Sequence, residues 1–393
     1  MAGEITLQQL FQTPVITRVV SRFKTPMSLF QQFLGMLPGQ PATESVSGRH
    51  IGWDIFDRTR TIAKGRAPGS GPATAHPKTL GHVSAVAYRA HEKIPLLREH
   101  IFRTRTPGAQ IGQIDSRGQG YISRQMQFLN QRFRNNREFM VSRMFRNGFG
   151  FKLDGEDFVP TENGAAGNVV NVDMGMNDNN LTFLNMGSGG NILTANWATP
   201  GTDVIGNVYA INAAFERQHG YPLRHIWINS TAFTPLLVND GLETVGGTAF
   251  RVFESLNARQ NRSIEGIQDS GYDVVFRALP LVTFHVYDGV LVTPELSIGT
   301  TETTTANTSK LIPDNKAIFC PEPDGNWAGW IEGSEWVAEN WTDMGKEVFG
   351  FHTWTTPSID PAAIELKMID NGLTALYIPD TIAYGSLVGD GTG

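Results

Sequence analysis

Two pairs of carboxylates come nearest to a catalytic pattern in this 393-residue chain. Glu322 stands close to Asp324, and Glu332 stands close to Glu335. Paired carboxylates can act as general acid and base in glycoside hydrolysis, and neighbouring tryptophans could stack sugar rings. Such pairs are also common in acidic loops, and these lie among Gly and Pro residues. We interpret them as structural acids and keep a carbohydrate-active enzyme as a distant alternative.

Other signals for chemistry are weaker still. The nine histidines are scattered, and the spacings of His76, His82, His91 and His100 suit no common zinc pattern. The sequence GSGG at 187–190 lacks the lysine and the helix of a phosphate-binding loop. A single cysteine excludes a disulfide within one chain and a thiolate metal cluster. We predict no catalytic, cofactor-binding or metal-binding residue, and therefore no enzyme.

The stretch Gly120–Gly148 is the element around which the other elements are expected to be arranged. Its apolar residues recur at helical spacing, which predicts a helix of about 40 Å that lies on a sheet. Asn147-Gly148 supplies a left-handed stop. Its polar face carries six arginines and one acid, Glu138, and we expect the arginine heads, such as that of Arg134, in solvent or facing phosphate. The apolar stripe is Ile122, Met126, Leu129, Phe133, Met140 and Met144, and the arginines are Arg124, Arg132, Arg134, Arg137, Arg143 and Arg146.

Composition indicates a chain that buries surface against other chains. Its mass of 43.2 kDa is too large for one ordinary core, so two domains, or one with extensions, are expected. Only 18% of residues are charged, while 42 are glycine. Residues 1–150 hold 21 Lys+Arg and 8 Asp+Glu, a net +13, whereas residues 151–393 hold 11 and 30, a net −19. This split predicts that the halves face different partners, or each other across copies.

Two segments near the N-terminus have no core of their own. Residues 1–45 form a basic arm interrupted by prolines. In residues 46–95, Ile51, Trp53 and Ile55 alternate with polar residues, and a second alternating run returns from Val83. This pattern predicts an extended two-stranded loop whose tip is Lys64–Pro77. An isolated ribbon is marginal in water, so we expect it to lie on a neighbouring subunit.

After the long helix, the sequence predicts a domain inserted into another. Residues 96–202 begin a peripheral domain, residues 203–345 form the inserted domain, and residues 346–393 return. Asp203 is the predicted N-cap of a helix that ends at Gly220, and His225–Ile228 is a predicted buried strand. Asp288-Gly289 and Asn371-Gly372 are predicted two-residue hairpins. The second of these is expected to pair with the strands that follow the long helix.

Several short segments occur in an order that resembles a known family. They are VDMG (172–175), the Trp197 loop, HVYDG (285–289), LIPDN (311–315) and the carboxyl-terminal run from His352. The ordered set resembles the tailed-phage major capsid proteins, in detail the lambda-like major capsid protein E family. The resemblance implies an α+β fold, the tailed-phage (and herpesvirus floor) capsid fold, with an N-terminal arm, an extended loop, a spine helix, a peripheral domain and an inserted axial domain.

The resemblance also implies a function and its partners. The chain would assemble as hexamers and pentamers into an icosahedral shell around double-stranded DNA, located in the virion and, during assembly, in the host cytoplasm. A separate scaffolding protein is expected because no long helical segment precedes the arm, unless an N-terminal piece lies outside this sequence. A portal protein and a decoration protein are further expected partners, with no cofactor and no membrane. An encapsulin-like compartment shell is the alternative.

Overall fold

The computed structural model describes the residues in thirteen stretches of the chain. They are 28–56, 79–97, 116–154, 157–176, 196–218, 220–245, 248–249, 256–258, 271–276, 278–292, 308–338, 345–358 and 363–387. The predicted ribbon tip, the GSGG segment and most of residues 297–309 lie outside them. The described residues divide into two compact units. The first takes those within Met1–Ile51, Ala85–Met140 and Gly329–Thr374, and the second takes those within Gly52–Ser84, Val141–Ala328 and Ala375–Gly393.

The elements are numbered in chain order. The helices are α1 (Leu29–Leu34), α2 (Ser116–Met144), α3 (Val204–Gln218), α4 (Ser230–Phe233) and α5 (Asp240–Glu243). The strands are β1 (Glu44–Val46), β2 (His50–Phe56), β3 (Thr79–Val86), β4 (Tyr88–Leu97), β5 (Gly148–Asp154), β6 (Asp157–Glu162), β7 (Asn168–Asp173), β8 (His225–Ile228), β9 (Thr244–Val245), β10 (Thr248–Ala249), β11 (Leu256–Ala258), β12 (Gly271–Phe276), β13 (Thr283–Tyr287), β14 (Val290–Val292), β15 (Thr308–Lys310), β16 (Lys316–Cys320), β17 (Ala328–Val337), β18 (Lys346–Ser358), β19 (Ala363–Leu376) and β20 (Ala383–Ser386).

The first unit is a sheet with the long helix on it. Its strand order is β1-β17-β18-β19-β4, with β1 parallel to β17 and the other neighbours antiparallel. The apolar stripe of α2 from Ile122 to Phe133 packs against strands β4 and β19, as predicted for a strut on a sheet. The shared core consists of Leu96, Ile122, Met126, Leu129, Phe133, Leu366 and Met368.

The left-handed stop after helix α2 lies where the sequence predicts it. Asn147 and Gly148 both have positive φ, 68° and 116°. A Cβ on Gly148 would lie 1.9 Å from the carbonyl oxygen of Val172, so the close approach to β7 excludes any side chain there. The helix begins and ends four residues earlier than the predicted 120–148, at Ser116 and Met144.

The second unit contains a six-stranded sheet in the order β11-β12-β13-β8-β16-β20. Strand β8 runs parallel to β13 and matches its predicted bounds. Helix α3 packs Val208, Ile211 and Phe215 into the core with this sheet. The Asp203 side chain accepts a hydrogen bond from the Gly206 amide at 2.8 Å, which confirms the predicted N-cap. Smaller sheets in the order β6-β5-β7, β14-β15 and β10-β9 also belong to this unit.

The two strands of the extended loop pair as predicted, but the base of the loop packs against other residues of the same chain. Strands β2 and β3 form a two-stranded sheet, and Ile51, Trp53 and Ile55 are the buried positions of β2. The Phe56 amide donates to the Tyr377 carbonyl at 2.8 Å, and a Cβ on Gly175 would lie 2.7 Å from Ile55 Cδ1. The expectation that Trp53 and Ile55 need a neighbouring subunit was therefore wrong, because the same chain covers them. The tip, 64–77, lies outside the described residues.

Both predicted two-residue hairpins were wrong. Strand β19 runs through Asn371-Gly372 and pairs with β18 and β4, not with the strands after α2. A Cβ on Gly372 would lie 2.7 Å from the Ile331 carbonyl oxygen, so glycine serves a close strand approach here. Strands β13 and β14, on either side of Asp288-Gly289, pair with different partners. The predicted domain boundaries at residues 45, 95, 202 and 345 remain predictions.

Candidate functional site

The arginine face of α2 is the first candidate, and the structure corrects its predicted environment. Arg124 and Arg132 lie on the exposed part of the helix, as expected. Arg134, Arg137 and Arg143 are buried, Arg134 to 5% exposure, so the prediction that such heads stand in solvent was wrong for them. From Arg137 to Phe145 every residue of the helix and its end is buried. These arginines are therefore structural groups inside the subunit.

Arg137 forms a buried, two-pronged ion pair with Asp370 of β19. The Arg137 Nε and Nη2 atoms donate to Asp370 Oδ2 and Oδ1, both at 2.5 Å. The third nitrogen, Nη1, donates to the Met36 carbonyl at 3.1 Å, and the guanidinium lies 4.0 Å from the centre of the Trp330 ring. Both charges are thereby satisfied in a dry setting. The pair joins α2, β19 and the segment that follows α1.

Glu138 anchors the short helix of the N-terminal arm. Its Oε1 accepts from the Phe30 amide at 2.9 Å, and its Oε2 accepts from the Gln31 amide at 3.1 Å. The Gln31 side chain donates to the same carboxylate and to the Arg134 carbonyl. The first-turn amides of α1, which have no helical partners, are thus satisfied by a buried acid. The one acid on the arginine face is the attachment point of the arm.

Arg143 and Arg146 connect the end of α2 to β6 and β15. Arg143 Nη2 lies 2.7 Å from Glu162 Oε1 and donates to the Ser309 hydroxyl, and Arg146 Nη1 lies 3.4 Å from the same Glu162 oxygen. Burial, with Arg146 nearby, lowers the pKa of Arg143 to about 10. The guanidinium of Arg146 also stands over the Tyr384 ring at 5.6 Å.

The structure brings together a set of titratable residues that sequence reasoning missed. Asp273, His285, His225 and Glu322 form a continuous hydrogen-bonded chain across the six-stranded sheet. The ring of His285 stacks on Trp227 at 4.2 Å between centroids. In sequence these residues are separated by up to 97 positions, so only the strand order reveals the set. The one available signal was that each histidine begins or interrupts an apolar strand.

The predicted carboxylate pairs are not brought together as acid and base. Glu322 bonds to His225, whereas Asp324 Oδ1 accepts from the Asn326 amide within a turn. Burial raises the pKa of Glu332, and Glu335 is held by Arg49 and Arg89.

Gly350 makes room for Glu332. Its φ is 56°, and a Cβ there would lie 2.1 Å from the Glu332 carboxyl carbon. The glycine and the acid are therefore packed as one unit of β17 and β18.

The other histidines and tryptophans that the structure describes are mostly packed or paired within the subunit. His82 pairs with Asp54 at 2.8 Å, and His91 stacks on Trp354. Trp327, Trp330 and Trp354 are buried, whereas Trp336 is 68% exposed. His76, His100, Trp341, the GSGG segment and residues 297–307 lie outside the described residues.

Within the part of the chain that the structure describes, no group of three or more His, Cys, Asp or Glu side chains has the geometry of a metal site. No helix in the same residues combines the length and the apolar character needed to cross a membrane.

Comparison with solved structures identifies the fold. A crystal structure of a protein described as a prophage capsid protein, from E. coli CFT073, aligns with 98% of this chain and 99% of its own length. The sequence identity is 12% and the TM-score is 0.53. The chain therefore has the α+β fold of a phage capsid protein, as the resemblance predicted.

Two further similar structures align over most of the chain at lower scores. A phage-related protein from Bordetella bronchiseptica RB50 has 10% identity, coverage of 97% and 98%, and a TM-score of 0.44. The capsid of cyanophage P-SCSP1u has 13% identity, coverage of 87% and 85%, and a TM-score of 0.39. No family model and no curated protein matches the sequence. The finer resemblance to the lambda-like family thus remains a prediction.

Proposed function

We propose that this chain is the major capsid protein of a tailed phage or prophage, a structural protein and not an enzyme. The single observation that carries the proposal is the fold, which aligns from end to end with a protein described as a prophage capsid protein. Copies of the chain assemble as hexamers and pentamers into an icosahedral shell. The shell encloses double-stranded DNA, which the subunits hold by non-specific attraction to phosphate.

Features of the subunit surface support a function in self-association. Trp336 and Phe349 are exposed on one face of the β17–β18 pair, since Ser334 stands opposite Phe349 and Trp336 stands opposite Glu347. Residues two apart on a strand share a face, so the two aromatic side chains are diagonal neighbours. Exposed aromatic pairs of this kind commonly mark protein–protein contacts. A neighbouring copy is the partner we propose for this face.

The remaining parts of the proposal concern partners and location. A separate scaffolding protein directs assembly, a portal protein occupies one vertex, and a decoration protein binds the outside. The extended loop overlaps a neighbouring subunit, and the axial domain surrounds the capsomer centre. The protein functions in the virion and is assembled in the host cytoplasm.

Electron microscopy of the expressed protein tests the proposal directly. The chain is expressed alone and together with the products of its neighbouring genes, and the particles are purified and stained. We expect closed icosahedral shells, and double-stranded DNA inside particles purified from the phage. Shells that hold a protein cargo and no DNA would identify an encapsulin-like compartment instead. A protein that stays monomeric under all these conditions would overturn the proposal.

A further inference from the structure

Four titratable residues lie on consecutive strands of the six-stranded sheet. Asp273 is on β12, His285 on β13 and His225 on β8, and Glu322 follows β16 by two residues. Strands β12, β13, β8 and β16 are neighbours in that order, so the four side chains form a row across the sheet. The His285 and His225 side chains are 10% and 12% exposed, whereas Asp273 is 40% and Glu322 is 71% exposed. Both ends of the row therefore open to solvent.

Three hydrogen bonds join the row into one chain. Asp273 Oδ1 lies 2.6 Å from His285 Nδ1, His285 Nε2 lies 2.8 Å from His225 Nδ1, and His225 Nε2 lies 2.8 Å from Glu322 Oε2. All four ring nitrogens of the two histidines are used. Each of the three contacts has the length of a true hydrogen bond and needs one proton between its two heavy atoms.

With neutral histidines and ionised carboxylates, the row has one proton fewer than its three hydrogen bonds need. A neutral imidazole carries one ring proton, and an ionised carboxylate carries none. Two neutral histidines and two carboxylates therefore bring two protons to three hydrogen bonds. With both protons directed at the carboxylates, the two facing ring nitrogens would be lone pairs 2.8 Å apart, which repel. A third proton, taken from solvent, completes every bond.

We propose that Asp273, His285, His225 and Glu322 form a proton-binding site that takes up one proton per chain. The proton is shared along the row, so that the two histidines titrate as one unit. The site stands independently of the proposed shell function, because it lies within the six-stranded sheet of a single chain. It makes the stability of that sheet dependent on pH.

The groups around the row favour one added proton and oppose a second. Asp273 and Glu322 contribute two negative charges at the ends. Trp227 covers the face of the His285 ring, and Cys320, which is opposite His225 in the sheet, is buried with the pKa of its thiol raised by burial. A fourth proton would place two N–H groups against each other at the central contact. The site therefore saturates at one proton.

The direction of the pH dependence follows from linkage. Burial, the largest cause, lowers the pKa of His225 from its ordinary value of 6.5, against the opposing effect of the hydrogen bond with Glu322. The unfolded chain therefore binds a proton on His225 more readily than the folded row does. The stability that is present above pH 6.5 should decrease as pH falls below that value.

Glu322→Gln tests the proton count without a risk of unfolding, because the side chain is largely exposed. An amide at this position can donate to His225 Nε2, which supplies the missing proton to the row. His225 then donates to His285, and His285 donates to Asp273, with both rings neutral. Asp324→Asn is the matched control, since it removes the same charge two residues away and keeps an oxygen for the Asn326 amide.

The experiment is a pH titration of the full, unassembled chain with ¹⁵N-labelled histidine, followed by NMR from about pH 8.5 to about pH 5. In the wild type we expect the signals of His225 and His285 to move together in one shared step. In Glu322→Gln the midpoint of this shared step should fall by roughly one pH unit or more. In Asp324→Asn its midpoint should stay unchanged. Independent single steps for the two histidines, or a Glu322→Gln titration like that of the control, would overturn the proposal.

Discussion

At the scale of single residues, the buried charges of the first unit determine how the chain tolerates substitution. The side chains of Arg137 and Asp370 are 1% and 2% exposed. The Arg137 Nε and Nη2 atoms each donate a hydrogen bond to one oxygen of the Asp370 carboxylate. The free energy of forming a buried ion pair is often close to zero, because desolvation offsets attraction. Removing one member is different, since the other charge then stays buried alone. The intact pair therefore adds little to the stability of the subunit, but substitution of either member should lower that stability strongly.

Arg137→Met should lower the free energy of unfolding of the unassembled subunit by about 3–5 kcal/mol, because it leaves Asp370 uncompensated. Arg132→Met is the control on the same helix, since Arg132 pairs with Glu92 while both side chains are partly exposed. That change should cost less than about 1 kcal/mol. Urea unfolding measures both. Adding Asp370→Asn to Arg137→Met should recover part of the loss, and equal costs for the two single variants would contradict the argument.

At the scale of elements, helix α2 has two different environments along its length. Its first part presents one apolar stripe to the sheet of the first unit, and its outer face is exposed at Arg124 and Phe128. Beyond Arg137 the helix is enclosed on all sides. The predicted solvated arginine face thus applies only to the first part. Arg134 precedes the enclosed part but is itself buried, so the change below about 0.5 kcal/mol expected for an exposed residue does not apply to it.

Phe133→Ala should destabilise the unassembled subunit by about 3–5 kcal/mol, the usual range for a buried aromatic. Phe133 is buried among Leu129, Leu366 and Met368, and its ring meets Phe351 edge-on at 6.0 Å. Phe128→Ala is the control, because Phe128 is 57% exposed on the same helix. It should change stability by about 0.5 kcal/mol or less. Thermal or urea unfolding measures both losses. A larger loss of stability for Phe128→Ala than for Phe133→Ala would show that the helix faces the sheet with its other side.

The arm helix α1 should detach when its acid is removed. Glu138→Ala leaves the Phe30 and Gln31 amides without their acceptor, each at a cost of about 1–3 kcal/mol. Hydrogen exchange at these two amides should rise by on the order of 10-fold to 100-fold, while exchange in β18 and β19 stays unchanged. Gln32→Ala, which removes only the partly buried contact with Ser28, should have little effect. Unchanged exchange in Glu138→Ala would mean that apolar contacts alone hold the arm.

At the scale of the whole molecule, part of the charge split is already matched inside one subunit. Arg49 with Glu335, Lys93 with Glu365 and Arg137 with Asp370 each join the basic first half of the chain to its acidic second half. These pairs lie within the first unit. The excess that can act between copies is therefore smaller than the +13 and −19 totals indicate. The remainder is what the proposed shell would use.

Shell assembly should weaken as salt rises. Between about 0.01 M and about 1 M salt the Debye length falls from about 30 Å to about 3 Å, which screens exposed charges and leaves buried pairs nearly unaffected. The yield of shells by light scattering should therefore decrease, while the urea midpoint of the unassembled subunit changes little. A shell yield that is flat across this range would show that apolar contacts between copies dominate assembly.

The sequence by itself determined the features that depend on the spacing of nearby residues. The period of 3.6 predicted α2 and α3, alternation predicted the buried positions of β2, and Asn147-Gly148 predicted the left-handed end of the helix. Each of these depends on neighbours within about four residues, so no distant contact can override them easily. The order of short segments also indicated the capsid fold, which the structural alignment confirms.

What only the tertiary structure decided depends on residues far apart in sequence. Arg137 is buried because Asp370 and Trp330 contact it from two strands. An arginine side chain on an isolated helix would be solvated. Asn371-Gly372 has the composition of a tight turn, yet close contact with β17 holds it in an extended strand. Asp273, His285, His225 and Glu322 become neighbours only through the order of four strands. Pairing partners and burial are properties of the whole fold, and sequence spacing carries no direct record of them.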